Sequence, residues 1–219
     1  MADALLKTLL DTVLSHWPIL ATLLAVLVVV KFIRSPTVKG WLGERQVNRG
    51  LRRLDPAHYR CFTDLYLPRP DGDGTTQLDH VVVSPYGIFV IETKNYQGWI
   101  FGTEKQAQWT QQIYRHKSKF QNPLHQNALH VKSLAAFLRL PADRFQSVVF
   151  FIGDATFKTP MPDNVLNRGL LDWIKAKKTR LLTPPEVATT IGRLSALDQA
   201  TERKSARGEH LSHLKSRHR

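Results

Sequence analysis

The chain has one cysteine, Cys61, in 219 residues. A single thiol excludes a disulfide framework and a four-cysteine zinc site. Acidic side chains are also scarce: 18 Asp and Glu stand against 31 Lys and Arg, a formal charge of +13 with pI near 10.1. That excess points to polyanionic partners, nucleic acid or acidic lipid, although membrane-proximal proteins carry basic residues for topological reasons as well. No helix-turn-helix or zinc-finger pattern is present, which argues against a sequence-specific reader. Asp71-Gly72-Asp73-Gly74 offers oxygen ligands but lacks EF-hand spacing and a closing glutamate, so the loop over 68–74 reads as a hairpin connection rather than a calcium site. His210 and His213, three apart in a polar basic tail, have no third ligand in the sequence to complete a transition-metal site.

What is present begins with a long apolar run. Residues 17–30 are uncharged and, extended to Ile33, come near the lower limit of about 17 residues for crossing a bilayer. A transmembrane helix over about 14–33 is expected within an N-terminal segment of 1–36, a buried soluble helix being the alternative. Lys31 can snorkel to the headgroups. Asp3 and Asp11 precede the run and no A-x-A follows it, which disfavours a cleaved signal peptide. Lys31, Arg34, Lys39 and Arg45 after the run outnumber Lys7 before it, placing the larger part on the cytoplasmic side of the membrane. With 42% hydrophobic residues, that part is long enough for one sizeable core.

The strongest local signal is QLDHVVVSPYGIFVIETKN, residues 77–95. Two runs rich in Val, Ile and Phe flank Ser84-Pro85-Tyr86-Gly87, with Pro and Gly where a type I turn wants them. A register symmetric about that turn sets Val81 opposite Val90, Asp79 opposite Glu92 and Gln77 opposite Lys94. Alternation then gathers those four polar side chains on one face, at the open end of an apolar surface. Opposed carboxylates with Cβ atoms roughly 5 Å apart repel unless a cation joins them. A divalent metal held by Asp79 and Glu92, with Lys94 orienting a water, answers that need; solvated strand ends balanced by Lys94 are the plainer reading.

Upstream, Glu44 falls on the inward stripe of a helix, with Val47, Leu51 and Leu54 at helical spacing. It reads either as a first-turn acid favoured by the helix dipole or as a further carboxylate of the site. Downstream, residues 58–67, 98–102, 108–114 and 148–152 read as strands. Asn122-Pro123 opens a helix with a stripe of Leu124, Ala128, Val131, Ala135 and Leu138. Gln126 and His130 lie at the edge of that arc.

In order, Gly43-Glu44, Gln77-x-Asp79-His80, the run Gly87 to Asn95, Gly98, Trp109 and Asn122-Pro123-x-x-Gln126 resemble the nuclease-related domain, NERD, a branch of the restriction-endonuclease-like PD-(D/E)xK superfamily. The resemblance covers residues 38–150. It implies an α/β fold with an αβββαβ core, a mixed central sheet flanked by helices. It also implies Asp79, Glu92 and Lys94 as the Asp…Glu-x-Lys signature, with Glu44 as the helical acid. Leu78 stands where the superfamily name has proline. In that superfamily the acids hold Mg²⁺ (or Mn²⁺) and the lysine assists the attacking water. Gln126 matches a glutamine often found on this helix, and Gln77 is expected to hold Lys94.

Residues 151–200 read as helices completing the domain, introduced in part by Thr183-Pro184-Pro185-Glu186, and 201–219 as a flexible basic tail. The resulting expectation is a membrane-anchored metal-dependent nuclease acting on nucleic acid, DNA foremost. Its competitors are a binding module with a vestigial acidic cluster, and a scaffold gripping anionic lipid. Oligomeric state is not legible.

Overall fold

A computed structural model describes residues 2–33 and 35–199. The tail over 201–219, with His210 and His213, lies outside them. The chain divides after residue 42 into two units. In the first, α1 (Ala2–Ile33) contains the stretch His16–Ile33, with mean hydropathy 2.1 and no buried share. Its rise of about 27 Å comes close to the hydrocarbon thickness of a bilayer. Leu27, Val28, Val29 and Val30, successive residues that between them face every side of the helix, are all exposed, so apolar surface surrounds it rather than forming one stripe.

In the second unit, two mixed sheets are flanked by helices. The first sheet has the order β1-β2-β3-β7-β9, from β1 (Arg60–Pro68), β2 (Thr75–Ser84), β3 (Gly87–Lys94), β7 (Phe145–Phe151) and β9 (Val165–Leu166). β1, β2 and β3 form an antiparallel meander, whereas β7 joins β3, and β9 joins β7, in parallel. On one face, α3 (Pro123–Leu138) and α5 (Pro184–Gln199) bring Leu134, Leu138 and Leu194 against Val81, Val83, Ile88 and Val90. On the other, α2 (Pro36–Leu51) and α4 (Leu170–Ala176) bring Val47, Leu51, Leu170 and Ile174 against Val82, Phe89 and Ile91. Thr183 and Glu186 cap α5 reciprocally, the Thr183 N–H donating to Glu186 Oε2 at 2.7 Å.

The second sheet, β6-β5-β4-β8, lies between β3 and α3 in sequence except for its last strand. Its strands are β4 (Gly98–Phe101), β5 (Gln108–Ile113), β6 (His116–Gln121) and β8 (Ala155–Phe157). Its inner face builds a third core, in which Trp109 stacks on Phe151 with centroids 6.2 Å apart. Asn122 fastens this insertion. Its Nδ2 donates to the carbonyls of Thr103, Glu104 and Gln106, while its Oδ1 accepts from the Leu124 N–H and starts α3, as its Asn-Pro signature predicts.

The expected turn and register at 84–87 are present: His80 pairs with Ile91, Val81 with Val90 and Ser84 with Gly87. Beyond His80 the ladder ends, so the Asp79–Glu92 and Gln77–Lys94 pairs do not form. At the same level β1 is irregular too, where Asp64 takes the left-handed conformation, φ 58°. The β1–β2 ladder passes from Thr63–His80 to Leu65–Leu78, skipping Asp64 and Asp79 together. Leu78 and Val81, three apart, consequently enter the same core, and the alternation that put Gln77 and Asp79 on the face of Val81 is broken.

Helix α3 departs from its expected stripe too. Ala128 is exposed, and the buried line runs Asn127, His130, Leu134, Leu138. Polar groups displace alanine because each has a partner inside. Asn127 Nδ2 lies 2.9 Å from both the Val90 carbonyl and Ser147 Oγ, and 3.0 Å from the Val148 carbonyl. Asn127→Ala strands these acceptors in the core. At 1–3 kcal/mol per unsatisfied group, a loss of about 3 kcal/mol is expected, read as a Tm lower by roughly 6–12 °C in a thermal melt.

Candidate active site

Where β2 and β3 diverge, charged groups come together from both sides of the sheet. Glu44 arrives on α2, which Gly43 allows to approach closely: a Cβ there would meet Asn95 Cβ at 2.9 Å and Ile152 Cγ2 at 3.0 Å. Asp79 takes the Thr93 N–H on Oδ2 at 2.8 Å. Glu92, only 2% exposed, has both oxygens engaged: Oε1 with Lys94 Nζ at 2.6 Å and Oε2 with His130 Nε2 at 3.0 Å. Lys94 also donates to Gln126 Oε1 at 2.9 Å.

A carboxylate only accepts, so His130 Nε2 carries the proton. In the neutral ring Nδ1 then accepts from the Thr76 hydroxyl, 2.8 Å away. Thr76, His130, Glu92, Lys94 and Gln126 thus form one continuous chain of hydrogen bonds between β2, α3 and β3.

The electrostatics follow from that placement. Burial, reinforced by Glu92 and Glu44, raises Asp79 well above the ordinary carboxylate range, against the Thr93 N–H that lowers it. Burial also raises Glu44, with Asp64 and Glu92 adding to it and Lys94 opposing. Burial alone would raise Glu92, but Lys94 and His130 hold it below its usual value. Lys94 is raised, since its carboxylate neighbours Glu92 and Asp79 outweigh its own burial. Fully ionised, Glu44, Asp79 and Glu92 would carry more negative charge than one lysine balances, and burial and mutual repulsion accordingly favour the protonated forms of Asp79 and Glu44. The cluster's donors are hard carboxylate oxygens, which suit Mg²⁺ or Mn²⁺ rather than a thiophilic ion. Among the described residues, however, no three His, Cys, Asp or Glu side chains converge as a ready-made metal cage.

Of the residues expected from sequence, Glu44, Asp79, Glu92, Lys94 and Gln126 are brought together. Gln77 does not hold Lys94 as expected: it pairs along β1 with Tyr66, and its Nε2 donates to Asp64 Oδ1 at 2.6 Å. The place beside Lys94 expected for it belongs to Gln126. Asp64, whose charge reaches Glu44, is a member that sequence reasoning missed. Its signal was available, because the apolar positions Phe62, Leu65 and Leu67 break strand alternation at Thr63-Asp64. His130, placed at the edge of α3 by sequence, is central. Asp71, in the loop weighed against calcium, is engaged by Arg69 Nη2 at 2.6 Å.

A mixed α/β domain with an Asp, a Glu-x-Lys and a helical Glu at one sheet end defines a nuclease-like class of site. The chain belongs to the nuclease-related domain family, NERD, whose model matches residues 39–152 and which is part of the restriction-endonuclease-like superfamily. It is 52% identical over 99 residues to an uncharacterized protein of Bacillus anthracis, covering 45% of this chain and 46% of that protein. The chain thus spans under half the length of that relative. No solved structure matches it.

Two outcomes test these electrostatics. His80, 1% exposed, has no hydrogen-bond partner on either ring nitrogen among the described residues, and burial lowers its pKa from 6.5 to about 4. The unfolded chain binds the extra proton between those values. Stability is therefore complete above pH 6.5 and is lost as pH falls toward 4. Relative to His80→Leu, the native protein should lose about 2 kcal/mol between pH 7.5 and 5, measured by urea unfolding. For Asp79 the sign is reversed: a raised carboxyl favours the fold at low pH and costs stability as pH rises through its folded value. Asp79→Asn should melt about 2–4 °C higher than the native protein in EDTA at pH 7.5, the equivalent of roughly 1 kcal/mol.

Proposed function

We propose that this domain hydrolyses phosphodiester bonds of nucleic acid, DNA foremost, with Mg²⁺ or Mn²⁺ held by Asp79 and Glu92 and supported by Glu44. The observation that carries the reading is the Lys94 ammonium, held between Glu92 Oε1 and Gln126 Oε1 beside two mutually repelling carboxylates. A divalent cation bound here supplies charge neutralisation at the phosphate and a more acidic water. The remaining work falls to the chain. Lys94 keeps its proton at neutral pH and serves as a donor and positive charge that orients the nucleophile, not as a base. His130 fixes the carboxylate plane of Glu92 from behind, and Gln126 fixes the direction of the lysine.

Membrane anchoring through α1 belongs to the same reading. The helix has the length and apolarity for one span, and the excess of Lys31, Arg34, Lys39 and Arg45 over Lys7 supports a cytoplasmic orientation of the domain in this reading. A non-catalytic module that binds nucleic acid is the second reading, favoured by the Lys94–Glu92 pair, which already neutralises one of the acids.

The deciding assay is cleavage of labelled single- and double-stranded DNA and RNA in Mg²⁺, Mn²⁺ or EDTA. Metal-dependent cleavage should fall about 10²–10³-fold in Glu92→Gln and in Lys94→Ala, with substrate affinity retained. Binding without cleavage by well-folded native protein under every condition assigns the second reading.

A further inference from the structure

The outer face of the second sheet is solvent-exposed and has a chemistry of its own. Along β4, β5 and β6 one cross-strand row is Trp99–Gln112–Lys117 and the next same-face row is Phe101–Thr110–Lys119. Directly paired residues share a face, and residues two apart along a strand do too. Trp99, Lys117 and Lys119 therefore look outward together, opposite the inner face that buries Ile100 and Trp109. Lys158, following β8, joins them, with its Nζ 4.5 Å from the centroid of the Trp99 ring.

Two features make this face more than a solvated edge. The first is charge. Lys117, Lys119 and Lys158 share this face, and from 105 to 121, the stretch that includes β5 and β6, the chain has no Asp or Glu. The second is shape. A depression of ≈ 520 Å³ is lined by Gln97, Trp99, Gln112, Ile113, Tyr114 and one acid, Asp154, with Lys117 the cross-strand neighbour of Gln112. Trp99 is 47% exposed and Tyr114, at the β5–β6 turn with φ 52°, is 92% exposed. A bulky aromatic held in the left-handed region at a hairpin tip is a costly arrangement for a residue with only solvent to meet.

Aromatic surfaces for bases, amides for base edges and a row of cations for phosphates are what a single nucleic-acid strand requires. A bilayer surface would ask for a continuous apolar patch, whereas here Gln112 and Thr110 stand between Trp99 and Phe101 on one side and Lys117 and Lys119 on the other, and Lys158 lies over the Trp99 ring itself. We propose that this face binds single-stranded nucleic acid, with one base in the Trp99–Tyr114 depression and flanking phosphates on Lys117, Lys119 and Lys158. The proposal rests on the nucleic-acid reading of the domain but not on its catalysing cleavage, and it supplies that site with a strand-holding surface.

The test uses the full chain in nanodiscs of zwitterionic lipid, in EDTA, with fluorescein-labelled oligo(dT) of 20 nucleotides followed by anisotropy between 50 and 200 mM salt. Lys117→Glu with Lys119→Glu should weaken binding at least about tenfold at 100 mM salt and lower the log–log salt slope by about 1.4, roughly 0.7 for each phosphate no longer neutralised. Trp99→Ala should weaken binding about 5- to 100-fold with the slope unchanged, and should remove part of the tryptophan quenching on binding. Unchanged affinity and slope in the lysine pair overturn the proposal, even if the native protein cleaves DNA. Loss of affinity in those variants upholds it, even if no cleavage is ever seen. A blue shift of Trp99 emission on adding phosphatidylserine to the nanodisc, with oligo(dT) binding unaffected by all three substitutions, would reassign the face to the membrane.

Discussion

The site depends on one buried carboxylate being satisfied from two directions. Glu92 sits in β3, the central strand of the first sheet, and has almost no contact with water, so its charge is tolerable only because Lys94 and His130 each take an oxygen. Those two partners come from different elements. The lysine is two residues along the same strand; the histidine is on α3, 38 residues later. Packing α3 against the sheet and preparing the acid for chemistry are thus one requirement, which accounts for a helix whose inner line is partly polar. Asn127 ties the backbone of β3 and β7 to the helix, one turn before His130 reaches Glu92.

The same constraint explains why the strands part where they do. An unbroken ladder would set Asp79 directly opposite Glu92, two carboxylates in van der Waals reach with one lysine between them. The β2–β3 pairing instead ends at His80–Ile91, beside the left-handed backbone of Asp64, and Asp79 accepts the Thr93 N–H. The acids stay near enough to raise one another's pKa yet are not stacked. A cluster arranged this way stores repulsion that a cation can relieve.

Much of this is legible from residue types alone. Pro85 and Gly87 punctuate the turn, and the Val, Ile and Phe around them leave one sensible register. Asn122-Pro123 marks the start of α3 for the same reason, since each residue favours a single position at a helix N-terminus. What escapes are features in which a tertiary partner overrules the local pattern. Hydrophobic periodicity assigns the interior to apolar residues, so it selects Ala128 over Asn127 and leaves His130 at the margin. Strand alternation has no means of announcing a non-glycine residue at positive φ, so it gives Gln77 the place that Gln126 holds. β6 goes unseen because His116, Lys117, Ser118 and Lys119 are all exposed and carry no period of two.

Asn122 has an implication for how the parts of the domain communicate. The inserted sheet leaves the core just after Lys94 and returns at Asn122, four residues before Gln126, so its two ends flank the lysine and the amide that orients it. Asn122 spends one end of its side chain on the loop Thr103 to Gln106 and the other on the first turn of α3. Mechanically this makes it a shared bolt: a displacement of that loop is delivered to the base of the helix that carries Gln126 and His130. The inserted sheet and the helix that supplies both Gln126 and His130 therefore share one anchoring residue, and the aim of Lys94 rests on the same hinge pin that holds the insertion in place.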